Sequence, residues 1–182
     1  MKSKSLACAI PGFLALSVFA ASPVGAADDL DADLVGYNEV PTLSSPAKAD
    51  FDARISPDET QIDYQVTYSG FPTPVLQAHL HLGKRAVNGG IMVFICSNLG
   101  NGPAGTPLCP TPAGTVSGTW TAASVVGPTA QGIAPGEFAE VVQAIRAGAA
   151  YANIHSQQFP AGEIRDQVRT PRAHRREHGH HD

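Results

Sequence analysis

The sequence predicts an all-β protein, an antiparallel Greek-key β-sandwich with one short helix near residues 137–147. Several short segments alternate apolar and polar side chains, as half-buried strands do. The chain contains 18 glycines and 15 prolines, which is typical of many short strands joined by turns. Only one segment has apolar residues at helical spacing. Together these observations favour an antiparallel sandwich or a Greek-key barrel.

The first half of the chain contains four candidate strands. Residues 33–36 and 47–55 alternate apolar and polar side chains, and a Ser-Pro-Asp-Glu-Thr turn follows the second of them. Residues 61–69 show the clearest alternation. Their apolar face carries Ile62, Tyr64, Val66 and Tyr68. A Gly-Phe-Pro-Thr-Pro segment then breaks the pattern before a fourth strand at residues 75–82.

The second half contains four more candidate strands and the helix. The strands are residues 91–95, 115–121, 150–154 and 163–168. An Asn-Gly-Gly turn at 88–90 leads into the first of them. The helix is predicted over 137–147, because its apolar residues fall on one helical face: Phe138, Val141, Val142 and Ile145. Gly148 stands where a C-terminal cap glycine belongs.

The two ends of the chain differ from its body. Residues 1–26 are expected to be a secretory signal peptide, because Lys2 and Lys4 precede an apolar run that ends in small residues. We therefore expect a secreted protein, periplasmic or extracellular, whose folded domain covers residues 27–170. The His- and Arg-rich residues 171–182 have no apolar periodicity, which predicts a disordered tail that binds Cu, Ni or Zn ions loosely.

Charge and hydropathy exclude several function classes. Removal of the leader takes away two of the 12 basic residues and none of the 16 acidic ones, which leaves a formal net charge of −6. An acidic body argues against nucleic acid as a partner. No segment after the leader is long and apolar enough to span a bilayer. Motifs of hydrolytic or nucleotide chemistry are absent from the sequence, so we assign no catalytic or organic-cofactor residues, and the oligomeric state stays open.

Two cysteines follow the leader, Cys96 and Cys109. In an oxidising compartment, a pair this close in sequence most simply forms one disulfide, which would close a Gly- and Pro-rich loop. The alternative is a pair of thiolate metal ligands. It is less favoured, because exported thiols oxidise and the spacing differs from Cys-x-x-Cys.

Histidines form the most informative pattern in the chain. Four of the seven belong to the tail: His174, His178, His180 and His181. Of the other three, His79 and His81 stand at i and i+2 of a candidate strand, which puts both side chains on one face about 6.5–7 Å apart. With His155 from another strand, they would form a ligand set that Cu or Zn accepts. The alternative is a structural network in which each histidine satisfies a local hydrogen bond.

Two polar residues stand close to His155 in the sequence. Asn153 and Glu163 would orient the imidazole of His155 through hydrogen bonds, as carboxylates and amides do around metal-bound histidines. The alternative for Glu163 is an ion pair with Arg165, which points the same way on a strand.

Three sequence blocks resemble the CHRD domain, which is named from chordin and is widespread in bacterial secreted proteins. The blocks are Glu-Val-Pro at 39–41, Ala-His-Leu-His-Leu-Gly at 78–83, and Gly-x-x-Tyr-x-Asn-Ile-His from Gly148 followed by Pro-x-Gly-Glu-Ile-Arg-x-Gln at 160–167. The resemblance covers residues 34–168, and it departs from the family at Asp166, where a glycine is usual. It implies a bacterial secreted CHRD protein with an immunoglobulin-like or Cu/Zn superoxide dismutase-like sandwich.

The resemblance implies a function only in outline. The family has no common activity, and its chordin member points to an extracellular or envelope protein partner. We therefore expect a non-catalytic binding module, with a Cu or Zn ion held by the three histidines. The alternatives are a purely structural or protein-interaction domain and a copper redox enzyme similar to Cu/Zn superoxide dismutase, whose copper site also uses a His-x-His strand pair. Three histidines are too few for the copper and zinc sites of that enzyme together.

Overall fold

The structure is a computed structural model that describes residues 28–170, so the expected signal peptide and His-rich tail lie outside the described residues. The described part contains eight strands and one α-helix. The strands are β1 (Asp28–Val35), β2 (Lys48–Ile55), β3 (Ile62–Ser69), β4 (Val75–Leu82), β5 (Ile91–Ser97), β6 (Gly114–Trp120), β7 (Ala150–Ser156) and β8 (Ile164–Gln167). The helix α1 spans Phe138–Arg146. The predicted all-β class with one short helix is confirmed.

The strands form a single antiparallel sheet in the order β5-β4-β7-β8-β1-β2-β3-β6. Its two ends approach each other, because the indole N–H of Trp120 on β6 donates to the carbonyl oxygen of Phe94 on β5 at 2.7 Å. The hydroxyl of Tyr64 on β3 donates to the carbonyl oxygen of Ile95, also at 2.7 Å. The sheet therefore curls into a nearly closed barrel. In order around the barrel, β3 is followed by β6, β5 and β4. This order of strands is a Greek-key arrangement.

Alternating burial along the strands builds the core. On β3, the four apolar residues are buried and the residues between them are exposed, as predicted. The first strand is longer than the predicted residues 33–36. Leu30, Ala32 and Leu34 are buried between outward-facing aspartates, and β1 pairs with β2 from Asp28 onward. The aspartates concealed this alternation, because Asp is depleted in strands.

The helix ends in the way that Gly148 predicts. Gly148 has a φ of +61°, which glycine adopts without the steric penalty of a Cβ atom. The N–H of Gly148 donates to the carbonyl oxygen of Ile145 at 2.9 Å. The N–H of Ala149 donates to the carbonyl oxygen of Ala144 at 2.8 Å. This pair of bonds is a Schellman motif, and it turns the chain directly into β7.

Cys96 and Cys109 are joined by a disulfide with an S–S distance of 2.05 Å. The bond ties the end of β5 to the loop that leads to β6. Both cysteines are buried against the core, with exposed fractions of 0% and 4%. Among residues 28–170, no helix is long and apolar enough to cross a membrane.

Candidate metal centre

The three histidines of the described part lie on two neighbouring strands. His79 and His81 are on β4, and His155 is on β7. Because Gln77 pairs with His155 and His79 pairs with Asn153, His155 stands diagonally across from His79. The neighbours of these histidines on β4, Ala78 and Leu80, belong to the hydrophobic core. The histidines therefore share the outer face of the barrel, on which loops cover them.

The side chains of His79, His81 and His155, which we call the histidine cluster, converge. One nitrogen from each ring lies within 4.8 Å of the others, and Nδ1 of His79 is 3.1 Å from Nε2 of His155. Two nitrogens bound to one ion at 2.0–2.1 Å lie at most about 4.2 Å apart, so a small side-chain rotation closes the widest pair. The exposed fractions of His79, His81 and His155 are 0%, 8% and 7%. The convergence expected from the sequence is confirmed.

Backbone carbonyls fix two of the three rings. Nδ1 of His81 lies 3.0 Å from the carbonyl oxygen of Gly89, and Nδ1 of His155 lies 3.0 Å from that of Pro160. A carbonyl oxygen only accepts hydrogen bonds, so both Nδ1 atoms carry the proton and both Nε2 atoms carry a lone pair. Within residues 28–170, Nε2 of His81 and Nε2 of His79 are buried and have no hydrogen-bond partner.

Burial keeps the histidine cluster neutral. Desolvation is the main cause that lowers the pKa of His79 to about 2 and the pKa of His81 to about 4. The same cause lowers the pKa of His155, against the opposing hydrogen bond to Pro160. All three rings are therefore uncharged at neutral pH, which is the form of imidazole that binds metal ions.

Aromatic rings enclose the histidine cluster on two sides. The ring of Phe94 stands perpendicular to His79 at 4.5 Å, and the ring of Tyr151 stacks parallel on His81 at 4.8 Å. The guanidinium carbon of Arg165 lies 3.9 Å from the centre of the Tyr151 ring, on which it forms a cation–π contact. These contacts order the ligand rings before any ion binds.

Asn153 is buried, but it does not bind an imidazole directly. Its amide donates to the carboxylate of Glu39 and to the carbonyl oxygen of Ile164, the latter at 3.1 Å. Desolvation raises the pKa of Glu39, while the N–H of Val40, Arg165 and Asn153 oppose that rise. Asn153 therefore ties β7 to the loop before β2 and to β8, and the orienting role expected of it falls to backbone carbonyls.

Glu163 also has a different partner from those expected. Its Oε1 accepts a hydrogen bond from the hydroxyl of Ser45 at 2.5 Å. Within the described residues, Glu163 forms neither an ion pair with Arg165 nor a hydrogen bond to His155, and its Oε2 is buried without a hydrogen-bond partner. The reason is that Arg165 leans towards Tyr151, and Pro160 already accepts the Nδ1 proton of His155.

Sequence reasoning missed the carbonyls of Gly89 and Pro160, which fix two rings of the histidine cluster. Both belong to turns that the sequence marks, Asn-Gly-Gly at 88–90 and Phe-Pro-Ala-Gly at 159–162. Gly89 must be glycine, because a Cβ atom there would lie 1.6 Å from the carbonyl oxygen of Leu82. A turn sequence predicts such a tight approach but does not predict which side chain its carbonyl will meet.

The fold and the site define a small extracellular-type β-domain with a buried histidine cluster on one outer face of its barrel. The family model of the CHRD domain matches residues 30–168, and the chain belongs to this family. The matched range contains the histidine cluster and both cysteines. A search of the curated proteins and a search of the solved structures each found no match.

Proposed function

We propose that the domain is a secreted, non-catalytic binding module that holds one copper or zinc ion in the histidine cluster. The observation that supports this proposal most strongly is which ring nitrogens carry a proton and which carry a lone pair. His81 and His155 each donate one N–H to a backbone carbonyl and keep a lone pair on Nε2. One nitrogen of each ring in the histidine cluster lies within 4.8 Å of the others. Metal-bound histidines are oriented in this way, because the second ring nitrogen fixes the tautomer and aims the first.

The energetics of the buried nitrogens support the same proposal. The Nε2 atoms of His79 and His81 have no hydrogen-bond partner within residues 28–170. A buried polar atom without a partner costs about 1–3 kcal/mol. An ion bound to the histidine cluster would accept the lone pair on Nε2 of His81 and would offset that cost for His81. The three imidazoles are already neutral at neutral pH, so an ion does not compete with an added proton for them. Neutral imidazoles are suited to copper and zinc.

A copper redox enzyme is the second candidate, and the His-x-His pair beside a third histidine favours it. Enzymatic turnover needs a coordination position that a substrate can reach. The small exposed fractions of the three histidines, 0%, 8% and 7%, support retention of an ion rather than turnover. An assay of superoxide consumption by the copper-loaded protein separates the two. A rapid rate that depends on His81 would make the protein an enzyme.

The location of the protein is part of the proposal. We infer that residues 1–26 direct export and that the domain works in the periplasm or outside the cell, where it also meets a protein partner. The disulfide of Cys96 and Cys109 supports an oxidising compartment. Mass spectrometry of the exported chain should find an N-terminus close to Ala27, whereas an intact Met1 in that fraction would contradict this inference.

A metal titration tests the site itself. The tail-substituted protein, in which His174, His178, His180 and His181 are replaced by Asn, removes weak sites outside the domain. We expect it to bind one copper or zinc ion per chain with a Kd below about 1 μM. The matched comparison is the same protein with His81→Asn, because Asn keeps a donor for the Gly89 carbonyl but lacks Nε2.

The two proteins should differ clearly. We expect His81→Asn to weaken binding at least about 100-fold, which corresponds to about 2.8 kcal/mol. Equal affinities of the two proteins for the ion would contradict the proposed site. Loss of all metal binding when only the tail histidines are replaced would also contradict it.

A further inference from the structure

The donor set of the histidine cluster contains no anion. The three residues that converge are His79, His81 and His155, and no carboxylate or thiolate of residues 28–170 joins them. The two cysteines are consumed in their disulfide. Of the acids on neighbouring elements, Glu39 accepts a hydrogen bond from the amide of Asn153, and Glu163 accepts one from Ser45 through Oε1. Oε2 of Glu163 is buried without a hydrogen-bond partner, but it does not belong to the converging donor set. An ion in this site would therefore keep its full charge.

One positive charge, that of Arg165, lies near the site on its β8 side. The guanidinium of Arg165 lies over Tyr151, whose ring stacks on His81. Arg165 also donates to the carbonyl oxygen of Val87 at 3.0 Å and to the side-chain oxygen of Asn88 at 2.9 Å, which keeps it in place.

Burial makes the charge of the ion decisive. The Born cost of moving an ion out of water grows with the square of its charge, so a dication costs about four times as much as a monocation of equal size. Here the rings of the histidine cluster are almost completely buried, and no anionic group belongs to the converging donor set. The site is therefore far less costly for a monocation.

The number of donor atoms also favours a monocation over Zn(II) and Cu(II). Zn(II) in proteins is almost always four-coordinate, and Cu(II) takes square-planar or tetragonal sets of N and O ligands. The histidine cluster supplies three donors, and the rings of Phe94 and Tyr151 stand against His79 and His81 at 4.5 and 4.8 Å. Three imidazoles without a fourth ligand suit Cu(I), which accepts low coordination numbers.

We propose that the histidine cluster binds Cu(I) as a three-coordinate ion, in preference to Cu(II) and Zn(II). This inference rests on the proposed function, since it names the ion and oxidation state that the same site holds. The domain is then a carrier or store of reduced copper. Copper must reach the domain already reduced to Cu(I) by a reductant outside it. Within residues 28–170, both cysteines are oxidised in the disulfide and supply no electrons.

Competition titrations test the preference. The probes are Cu(I), kept reduced under anaerobic conditions and competed with a chromophoric Cu(I) chelator, and Zn(II), competed with a zinc chelator; Cu(II) is titrated separately in air. All use the tail-substituted protein and its His81→Asn variant. We expect a Kd for Cu(I) at least about tenfold below that for Zn(II) and for Cu(II). X-ray absorption of the copper-loaded protein should show a Cu(I) edge and three nitrogen ligands.

The outcomes separate the two proposals. If Zn(II) or Cu(II) binds as tightly as Cu(I), and His81→Asn abolishes that binding, the proposed function holds and the Cu(I) preference is wrong. If none of the three ions binds in a way that depends on His81, both are wrong. A copper-loaded protein with the EPR signal of a four-coordinate Cu(II) centre would also overturn the preference.

Discussion

Nδ1 of His79 lies 3.1 Å from Nε2 of His155, although 76 residues separate them in the chain. Because His155 donates its Nδ1 proton to the carbonyl oxygen of Pro160, its Nε2 accepts, and Nδ1 of His79 carries the proton between them in the metal-free protein. An ion bound between these two nitrogens would take the place of that proton, which would move to Nε2 of His79 because a neutral imidazole keeps one N–H. Metal binding should therefore change the tautomer of His79 and leave its ring neutral.

The buried neutral histidines should make the metal-free protein sensitive to acid. The folded-state pKa of His81 is about 4, below its ordinary value of 6.5. Above pH 6.5 this ring is neutral in both states and no stability is lost. As the pH falls from 6.5 towards 4, the unfolded chain binds a proton that the folded chain refuses, so stability falls. At about 1.4 kcal/mol per pKa unit, the loss by pH 4.5 is on the order of 2–3 kcal/mol from this group.

Urea unfolding at pH 7.5 and pH 4.5 measures that loss. Carboxylates also titrate in this interval, so the comparison is with His81→Asn, which lacks the imidazole but keeps a donor for Gly89. We expect the variant to lose less stability than the parent between the two pH values. Parallel losses in the two proteins would show that His81 is not held neutral.

Gly162→Ala should damage the polar network beneath the histidine cluster. Gly162 has a φ of +134°, and a Cβ atom there would lie 2.8 Å from Nδ2 of Asn153 and 2.9 Å from Oε1 of Glu39. We expect a loss of about 2–4 kcal/mol in the free energy of unfolding, from backbone strain and the clash together. Gly105→Ala is the control, because Gly105 has a φ of +88° and no atom within 4 Å of the new Cβ. If both substitutions lower the free energy of unfolding by the same amount, the clash at Gly162 is refuted.

Arg165→Lys should loosen the 83–90 loop that covers His81. Lysine keeps the charge but loses the planar stack on Tyr151 and the two bonds to Val87 and Asn88. We expect a loss of about 1–3 kcal/mol and faster amide hydrogen exchange at Gly89. Arg54→Lys is the matched control, since Arg54 makes only an exposed 3.8 Å pair with Asp29 and should change stability by less than about 0.5 kcal/mol.

Loss of the disulfide should destabilise the domain without changing the donor set. Replacement of both Cys96 and Cys109 by Ala opens a loop with a sequence separation of 13 residues. The expected cost is about 3 kcal/mol, measured by urea unfolding at pH 7.5. The same amount should be lost when the disulfide of the parent is reduced. Exported protein in which both thiols react freely with an alkylating reagent would contradict the bond.

Local sequence pattern accounts for the strands, the helix and two of the three residues of the histidine cluster. The alternation of residues 61–69 and the apolar periodicity of Phe138 to Ile145 predicted β3 and α1, and Gly148 predicted where the helix ends. The His-x-His spacing alone predicted that His79 and His81 share a face. These features depend only on near neighbours in the chain, which a single sequence displays.

Long-range features were not predictable in the same way. The convergence of His155 with the pair depends on the pairing of β4 with β7, which a single sequence does not specify. The partners of Glu163 depend on where the loop that carries Ser45 crosses the sheet. For the same reason, sequence reasoning left Glu163 either as a partner that orients His155 or as a member of an ion pair, whereas the structure places the hydroxyl of Ser45 against it.

A crystal structure of the tail-substituted protein loaded with copper, with anomalous data at the copper edge, tests the central claim most directly. We expect one anomalous peak at about 2.0–2.1 Å from one nitrogen each of His79, His81 and His155. The Nδ1 atoms of His81 and His155 should still donate to the carbonyls of Gly89 and Pro160. Copper found only at surface carboxylates, or an undisturbed His79–His155 hydrogen bond in crystals with full copper content, would contradict the account.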